Sequence, residues 1–508
     1  MKNWLAAVLL DWKGRFLPFR FWIGELKNPD VLKADAIAGL TVALVLVPQS
    51  MAYAQLAGLP ANVGLYASFL PVILAAIWGS SRQLATGPVA IVSLMSATSL
   101  QAILGDNPNA ETYLVYAACL ALMVGVFQLS LGLLRLGKLV DFLSHPVVIG
   151  FTNAAALIIA TSQLSKLFGV SVEKGEHHYE LVWNVIKALP ETHFPTLMFT
   201  LFSVFVLIYL KKLAPSLPNV LVAVVVSIVV SWAVDFEGMK GSVVGNIDGG
   251  LPGFSIPLID FGDISQLFVS AMVIALIGFV EAISIAKAIA SQTRQRLSAN
   301  QELVGQGIGN ISAGLFQGYA VSGSFSRSAV NFAADARSGF SSVVTGVLVA
   351  VTLLFLTPLL YHLPQATLAA VIMVAVLNLI KIEPIIHAWR VEPHDGVVAV
   401  VTFVITLLVA PHLEQGILAG VMLSLGLFLY RSMSPNFVEV ARHPDGSLRD
   451  AATHRLKTSE TVAIYRFDGD LYFANTGYLE GKILNSVAHK PKLKVLVLDM
   501  EAVDQVDS

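Results

Sequence analysis

The sequence predicts a polytopic α-helical membrane protein with fourteen transmembrane segments, followed by part of a cytosolic α/β domain. Of its 508 residues, 56% are hydrophobic and only 13% are charged, and its mean hydropathy is +0.73. Soluble domains carry about 25% charged residues. Because the depletion extends over so long a chain, it indicates many membrane-spanning helices.

The composition also excludes several classes of function. The formal net charge is −2, so nothing predicts a nucleic-acid partner. The single cysteine, Cys119, lies in an apolar run and excludes a disulfide framework and a cysteine-rich metal site. No Walker loop, nucleophile elbow, paired histidine ligands or dinucleotide-binding glycine pattern is present. We therefore expect no cofactor and no enzymatic activity, and we expect ion gradients to supply the energy.

Residues 1–34 are predicted to form a cytosolic amphipathic segment at the membrane surface. They mix tryptophans with basic residues, and no small-residue cleavage site follows a short apolar core. A membrane helix needs about 20 apolar residues. The transmembrane domain is predicted over 35–431, with spans at 35–57, 62–79, 88–104, 113–135, 139–168 (bent near Pro146), 194–213, 218–235, 263–290, 299–317, 324–336, 339–361, 364–382, 395–411 and 413–431.

The third and tenth of these spans are too short to cross a membrane alone. They begin at Pro88 and Ser324, and each follows a glycine-containing stretch, Thr86-Gly87 or Ser322-Gly323. Short, interrupted segments at corresponding places in two halves of a chain are typical of a transporter's binding site. The sequence therefore predicts a 7+7 inverted repeat in which the two breaks face each other. The alternative is that glycine and proline only kink these helices.

Basic residues are concentrated on one side of the predicted spans, which orients the chain. The outer loop at 236–262 holds Lys240 alone, and the loop at 169–193 balances its lysines with glutamates. The positive-inside rule then predicts that both termini lie in the cytoplasm. We expect a multi-pass protein of the plasma membrane, the inner membrane of a bacterium. The cytoplasmic side, which carries both termini, receives Lys33, Arg82, Arg135, Lys138, Lys211, Lys212, Lys287, Arg294, Arg296, Arg337, Lys381, Arg390 and Arg431.

The character of the chain changes after Arg431. Residues 432–459 are polar and are predicted to be a linker. Residues 460–508 are predicted to form strands at 462–467, 471–473 and 494–499, with a helix over about 476–489. This α/β piece is too short to close a domain, so we expect the domain to continue beyond Ser508.

The starts of the third and tenth spans are predicted to bind an anion. A helix N-terminus offers unpaired N–H groups and the positive end of the helix dipole. The donors are the backbone at Val89, Ala90, Phe325 and Ser326. Ser326 adds a hydroxyl that either contacts the anion or only caps the helix.

Two charged side chains are predicted at membrane depth, where an ionisable residue usually marks function. Arg327 follows the tenth span's N-terminus and would raise the potential beside the anion. Glu281 lies in the eighth span, where a carboxylate is costly unless protonated or paired. A group that must be neutral for an anion to bind nearby suits proton coupling. The alternative is a Glu281–Arg327 ion pair that only fixes packing.

Several motifs together resemble the sulfate permease (SulP) family, the bacterial and plant relatives of the solute carrier 26 anion transporters. They occur in order along nearly the whole chain: Val47–Ala54, Gly64–Tyr66, Gly79–Arg82, Thr86–Pro88, Asn300–Leu303 and Gly323–Ser328. The resemblance implies a core domain of spans 1–4 and 8–11, a gate domain of spans 5–7 and 12–14, homodimers and elevator-like movement of the core. The C-terminal piece resembles the first part of a STAS domain, which implies a cytosolic regulator as a possible partner.

The resemblance also assigns roles to residues. Gln49 and Tyr53 are four residues apart and share a helix face, which in the family lines the anion site. Val89 stands where family members shape the pocket, and its small size favours an oxyanion larger than chloride. Symporter-like members carry an acid at the position of Glu281. The sodium-coupled bicarbonate branch has a threonine four residues further on, where this chain has Ile285, so a sodium site is not supported.

We therefore predict a proton-coupled secondary transporter of sulfate or a similar inorganic oxyanion, with protons and the lipid bilayer as its other partners. One alternative is a bicarbonate or dicarboxylate symporter or exchanger on the same scaffold. Another, from a different class, is an anion channel or a regulatory scaffold acting through the STAS domain.

Overall fold

The computed structural model describes residues 18–105, 108–137, 144–172, 178–213 and 218–507. Contacts divide the chain into two units, one ending at Val421 and one beginning at Met422. The first consists of helices and one pair of two-residue strands, and the second holds a four-stranded sheet. Most of the predicted surface segment, residues 1–17, lies outside the described residues.

The membrane unit begins with a series of helices that leads to the first strand and continues to residue 233. In order they are Arg20–Ile23, the 3-10 turn Glu25–Lys27, Pro29–Leu56, Ala61–Tyr66, Leu70–Trp78, strand β1 (Thr86–Gly87), Ala90–Leu104, Ala110–Leu133, His145–Ser162, Leu164–Phe168, His178–Ala188, the 3-10 turn Leu189–Glu191, Phe194–Phe205, the π-helical turn Val206–Leu210, Lys211–Leu213 and Asn219–Ala233.

A second series of helices follows, and its last member runs into the C-terminal unit. In order they are Phe261–Thr293, Ala299–Leu315, strand β2 (Ser322–Gly323), Phe325–Ala333, Phe340–Val351, the π-helical turn Thr352–Leu356, the 3-10 turn Thr357–Leu360, Gln365–Leu377, Glu383–Val391, Pro393–Val409 and Leu413–Ser432.

Seven helices in the described part of the chain are long and apolar enough to cross a membrane. The count rises to eight if His178–Glu191 and Phe194–Leu210, which meet at a bend of 114°, form one broken span. Four further apolar helices are shorter, with 10–17 residues, and Ala90–Leu104 is among them. Fourteen full-length spans are thus not apparent from helix length, because several predicted spans are short or interrupted helices.

The first long helix shows how local chemistry sets an element's start. The side chain of Asn28 accepts a hydrogen bond of 3.0 Å from the Asp30 N–H, and Pro29 occupies the first helical position. Asparagine at the N-cap and proline next to it are both favoured there. The helix therefore begins at Pro29, inside the segment 1–34 that was predicted to lie on the surface.

Glycines allow the central helices to approach closely. A Cβ on Gly125 would lie 2.4 Å from the backbone nitrogen of Ile311, and one on Gly307 would lie 2.6 Å from that of Leu129. Helix Ala299–Leu315 thus packs backbone against backbone on helix Ala110–Leu133. Small residues at helix interfaces are typical of membrane proteins, where close van der Waals contact holds helices together.

Two predictions about the membrane unit were wrong in detail. Residues 139–143 of the predicted bent span lie outside the described residues. Within the described part Pro146 bends no helix, because it stands in the first turn of His145–Ser162, where its missing N–H is not needed. The break falls at Gln163. The predicted loop at 169–193 contains the helix His178–Ala188, whose apolar residues form one stripe instead of an all-round apolar surface.

The C-terminal unit contains a sheet in the order β4-β3-β5-β6. Its strands are β3 (Asn436–Arg442), β4 (Leu448–Asp450), β5 (Val462–Asp468) and β6 (Val495–Asp499), and helix Thr476–His489 connects β5 to β6. Strand β5 pairs parallel with β6 and antiparallel with β3.

This sheet corrects two predictions. The segment 432–459 is not a linker, because it supplies β3 and β4, and Phe437 of β3 stacks on Tyr465 of β5 at 4.9 Å between ring centroids. The predicted strand at 471–473 is only a single bridge between Leu471 and Val506.

Candidate functional site

Strands β1 and β2 bring the two chain breaks side by side, as the sequence predicted. They pair antiparallel, with Thr86 opposite Gly323 and Gly87 opposite Ser322. The contact extends past the strands, since the Ser324 N–H donates to the Ala85 carbonyl at 2.9 Å. The Ala85 N–H in turn donates to Ser328 Oγ at 2.8 Å. The helices that follow the two strands therefore start from one common, buried point.

The N-terminal site helix, Ala90–Leu104, begins with apolar residues. Val89 is its N-cap in an extended conformation, and its side chain makes no capping hydrogen bond. Val89 and Ala90 are each only 5% exposed. The first N–H groups of a helix have no partner within the helix. Without a side-chain cap, the first-turn donors of this helix remain available to an anion.

The C-terminal site helix, Phe325–Ala333, begins with polar residues. The side chain of Ser324 accepts a long hydrogen bond of 3.5 Å from the Arg327 N–H. Ser324 Oγ also lies 3.4 Å from Ser326 Oγ, and Ser326 is exposed. Phe325 does not turn toward the strands: its ring is 55% exposed and lies 5.5 Å from Lys381 Nζ. The hydroxyl of Ser326 thus stands at an opening of the site.

Arg327 is completely buried, with 0% of its side chain exposed. Nη1 donates a long hydrogen bond of 3.5 Å to Gln49 Oε1. Nε and Nη2 are buried without a hydrogen-bond partner among the described residues. A buried cation with free donors is costly unless an opposite charge joins it. The guanidinium therefore suits an anion bound beside the paired strands.

Glu281 lies on helix Phe261–Thr293, which packs against β2. The Ser322 hydroxyl donates to the Gly278 carbonyl at 2.6 Å, one turn before Glu281. Glu281 Oε2 is buried and has no hydrogen-bond partner in the described part of the chain. Glu281 and Arg327 attract each other electrostatically, yet they form no ion pair within 4.0 Å. The alternative of a direct Glu281–Arg327 ion pair is therefore wrong for this structure.

The predicted face of the first long helix also lies at the site. Gln49 and Tyr53 are each 5% exposed, and Gln49 contacts Arg327 directly. The charge of Arg327 acts on the Tyr53 phenol. Sequence reasoning missed Tyr319, which is fully buried and whose hydroxyl lies 2.9 Å from Ser93 Oγ on the N-terminal site helix. Tyr319 thus joins the segment before β2 to the opposite helix.

Sequence reasoning also missed a buried polar row on helix Ala299–Leu315. Glu302 accepts the N–H groups of Ser80 and Ser81 at 2.9 and 3.0 Å. Gln306 donates to Thr86 Oγ1 at 2.8 Å. These contacts hold the approach to β1 and β1 itself in place.

The row ends at Asn310, four residues beyond Gln306, which fixes the approach to β2. Its side chain accepts the Val321 N–H at 2.7 Å and donates to the Val321 carbonyl at 3.0 Å. The signal was available in the sequence: polar residues at 302, 306 and 310 repeat every four positions and so share one helix face. One helix thus positions both strands.

The comparisons with known proteins identify the family of the chain. The Sulfate permease family matches residues 32–402, and the STAS domain matches residues 454–508. Sulfate transporter 4.1, chloroplastic, of Arabidopsis thaliana is 35% identical over 528 aligned positions, covering 100% of this chain and 76% of the relative. Probable sulfate transporter MT1781 of Mycobacterium tuberculosis is 33% identical and covers 94% of this chain and 85% of its own.

Solved structures show the same fold. SLC26A9 superposes with a TM-score of 0.91 at 24% identity, covering 99% of this chain and 84% of that one. The murine Slc26a9 anion transporter in the inward-facing state gives 0.88 at 27% identity, with 97% and 84% covered. The transmembrane domain of the cyanobacterial bicarbonate transporter BicA gives 0.65 at 25% identity, covering 77% and 97%. The chain is a transporter, not an enzyme, and it belongs to the sulfate permease family with a C-terminal STAS domain.

Proposed function

We propose that this chain is a secondary active transporter that couples proton movement to the uptake of sulfate or a similar inorganic oxyanion. Family membership supports anion transport, and the names of the Arabidopsis and Mycobacterium relatives favour sulfate. The proposed anion contacts and the proposed proton coupling rest on the geometry of the site.

The single observation that carries the proposal is the buried guanidinium of Arg327. Two of its donors have no partner in the described residues, and two helix N-termini start beside it. Both features stabilise negative charge, the first by a full charge and the second by dipoles and backbone donors. We assign the oxyanion to the space bounded by Val89, Ala90, Phe325, Ser326 and Arg327, with Gln49 and Tyr53 on its third side.

Glu281 is proposed to carry the coupling proton. Its Oε2 is buried and has no hydrogen-bond partner among the residues that the structure describes, and its negative charge would compete with the anion for the field of Arg327. Protonation of Glu281 removes that competition, so the neutral acid favours bound anion. Proton and anion then bind together and cross together.

The larger architecture is part of the proposal. We propose fourteen segments in a 7+7 inverted repeat, with core spans 1–4 and 8–11 moving as an elevator against gate spans 5–7 and 12–14. The pairing of β1 with β2 supports it, since inverted repeats place such breaks opposite each other. We also propose a homodimer in the plasma membrane, with cytoplasmic termini and a STAS domain that receives a cytosolic regulator.

A bicarbonate carrier on the same scaffold is the second candidate, and the structural similarity to the transmembrane domain of BicA favours it. A dicarboxylate carrier on the same scaffold is a further alternative. A channel would not need a buried carboxyl such as that of Glu281, whose Oε2 has no hydrogen-bond partner among the described residues. Competition of labelled sulfate with bicarbonate, oxalate and chloride in one assay separates these candidates.

The test is uptake of labelled sulfate into proteoliposomes with and without an inward proton gradient. We expect the gradient to accelerate uptake several-fold. Glu281→Gln should abolish that acceleration and retain sulfate–sulfate exchange, because the amide mimics the protonated acid. Glu383→Gln, at an exposed position, is the control. If the proton gradient does not change wild-type uptake, proton symport is ruled out. If the gradient still accelerates uptake by Glu281→Gln, this residue does not carry the coupling proton.

A further inference from the structure

Two adjoining cavities lie at the end of the membrane unit where the first long helix finishes. Both are lined by Gln55, Gly58, Pro60 and Lys166. Gln55 is six residues beyond Gln49 on the same helix, a rise of about 9 Å. The cavities therefore lie outside the site at Arg327, and the first long helix connects the two, with Gln49 at the site and Gln55 at the cavities.

Lys166 gives the cavities a positive charge. It is half-buried, and among the described residues it forms no ion pair or hydrogen bond. No aspartate or glutamate belongs to either lining among those residues. His178 lines the second cavity and contacts Thr161 Oγ1 at 2.5 Å, and burial holds the pKa of His178 below its usual range. Within the described part of the chain, Lys166 is thus a cation with no carboxylate beside it in either lining.

Amide side chains complete the smaller cavity. Asn62, Asn246 and Gln365 line it together with Gln55 and Lys166. Each amide group offers two N–H donors. One ammonium and several amides in a lining that contains no carboxylate among the described residues form a donor set for an oxyanion, with Gln365 Nε2 also donating to the Val243 carbonyl at 3.4 Å. The set joins elements from both halves of the chain, since Gln365 begins helix Gln365–Leu377.

We infer that this cavity, at Gln55, Asn62, Lys166, Asn246 and Gln365, is a second anion site that receives the inorganic oxyanion before it reaches Arg327. The inference builds on the proposed function for the identity of the anion. Binding at Lys166 is measured separately from transport, so the second anion site and the proposed function can each be disproved independently of the other.

Binding is tested by amine labelling of the purified chain in detergent with an acetylating succinimidyl ester, read by mass spectrometry of peptides. Sulfate at constant ionic strength, balanced with gluconate, should slow acetylation of Lys166 at least about threefold. Lys240, an exposed lysine, is the matched control and should label at an unchanged rate. Equal labelling of Lys166 with and without sulfate, no labelling of it at all, or equal protection of Lys240 overturns the inference.

The role in capture is tested by sulfate uptake into cells that express the chain. Lys166→Met should raise the KM about fivefold with little change in kcat, because the central site is intact. Lys166→Arg should restore the KM, and Lys240→Met should not alter it. An unchanged KM in Lys166→Met contradicts a capture site. If wild type takes up no sulfate, bicarbonate and oxalate replace it in the labelling experiment, which still decides the cavity's occupancy.

Discussion

The two site helices start from one pair of strands but present different chemistry. The N-terminal site helix begins with buried Val89 and Ala90 and has no side-chain cap. The C-terminal site helix begins with Ser324 as its cap and carries the buried charge of Arg327. Both helices thus start with the same backbone geometry, whereas only the C-terminal site helix carries a full positive charge. One side of the site provides shape and backbone donors, and the other provides most of the field.

The largest expected effect is at Arg327, the charged side of this comparison. Arg327→Gln should lower sulfate uptake at least about a hundredfold, since losing a buried charge contact costs about 3 kcal/mol or more. Arg327→Lys should recover only a small part, because an ammonium cannot supply the guanidinium's fixed set of donors. Initial rates in proteoliposomes measure both.

Arg337 provides the matched control for Arg327. Its guanidinium is exposed and pairs with Asp335 at 2.8 Å, so Arg337→Gln should transport like wild type. The structural role of its backbone N–H, which donates to Asp35, is unaffected by the substitution. Near-normal uptake by Arg327→Gln would mean that the two helix N-termini suffice and that the comparison above is wrong.

The second effect distinguishes the two strands through their glycines. A Cβ on Gly87, whose φ is +145°, would lie 3.3 Å from Arg327 Nη2. A Cβ on Gly323 would lie 3.0 Å from Ala282 Cα, next to Glu281. We expect Gly87→Ala to strain the backbone at this φ and lower stability, and also to displace the guanidinium and raise the sulfate KM about tenfold. Gly323→Ala should destabilise the fold by about 1–3 kcal/mol with a smaller effect on the KM, because helix backbone cannot move aside.

Thermal unfolding and uptake kinetics, measured on both alanine variants, separate these outcomes. Gly426→Ala is the control, since nothing lies within 4 Å of a Cβ there. If Gly87→Ala lowers stability and leaves the KM unchanged, then Gly87 serves packing alone. A Gly323→Ala protein as stable as wild type would show that β2 is free to separate from helix Phe261–Thr293.

The sequence was a good guide to the places in the fold where a regular pattern breaks. Thr86-Gly87 and Ser322-Gly323 interrupt apolar runs, and Arg327 and Glu281 are charges where charge is rare, so each stood out. The pairing of the breaks followed from their matching positions in the two halves. Motif order also identified the family, because the resemblance extended along almost the whole chain.

Contacts between distant segments were not predictable in this way. Tyr319 is an ordinary residue in sequence, and its role depends on the Ser93 hydroxyl that the fold brings to it. The spacing of residues 302, 306 and 310 indicates a shared helix face, but it does not show that Asn310 bonds the backbone of Val321. The direction of Phe325 toward Lys381 is likewise set by packing between helices far apart in the chain. The strands β3 and β4 were missed because a short, polar, half-exposed strand has little hydrophobic periodicity of its own.

The smallest effect concerns the caps and would sharpen the difference between the two helices. Val89→Thr keeps the side-chain volume and adds a hydroxyl that can accept a first-turn N–H, as Ser324 does on the other helix. That donor is then occupied, so the sulfate KM should rise about threefold while the protein becomes slightly more stable. Ser324→Ala removes the opposite cap and should cost about 1 kcal/mol of stability without raising the KM. Binding isotherms and unfolding curves on the two variants and on the double variant measure this. If Val89→Thr binds sulfate as tightly as wild type, the backbone of the N-terminal site helix does not contact the anion, and the site belongs to the C-terminal site helix alone.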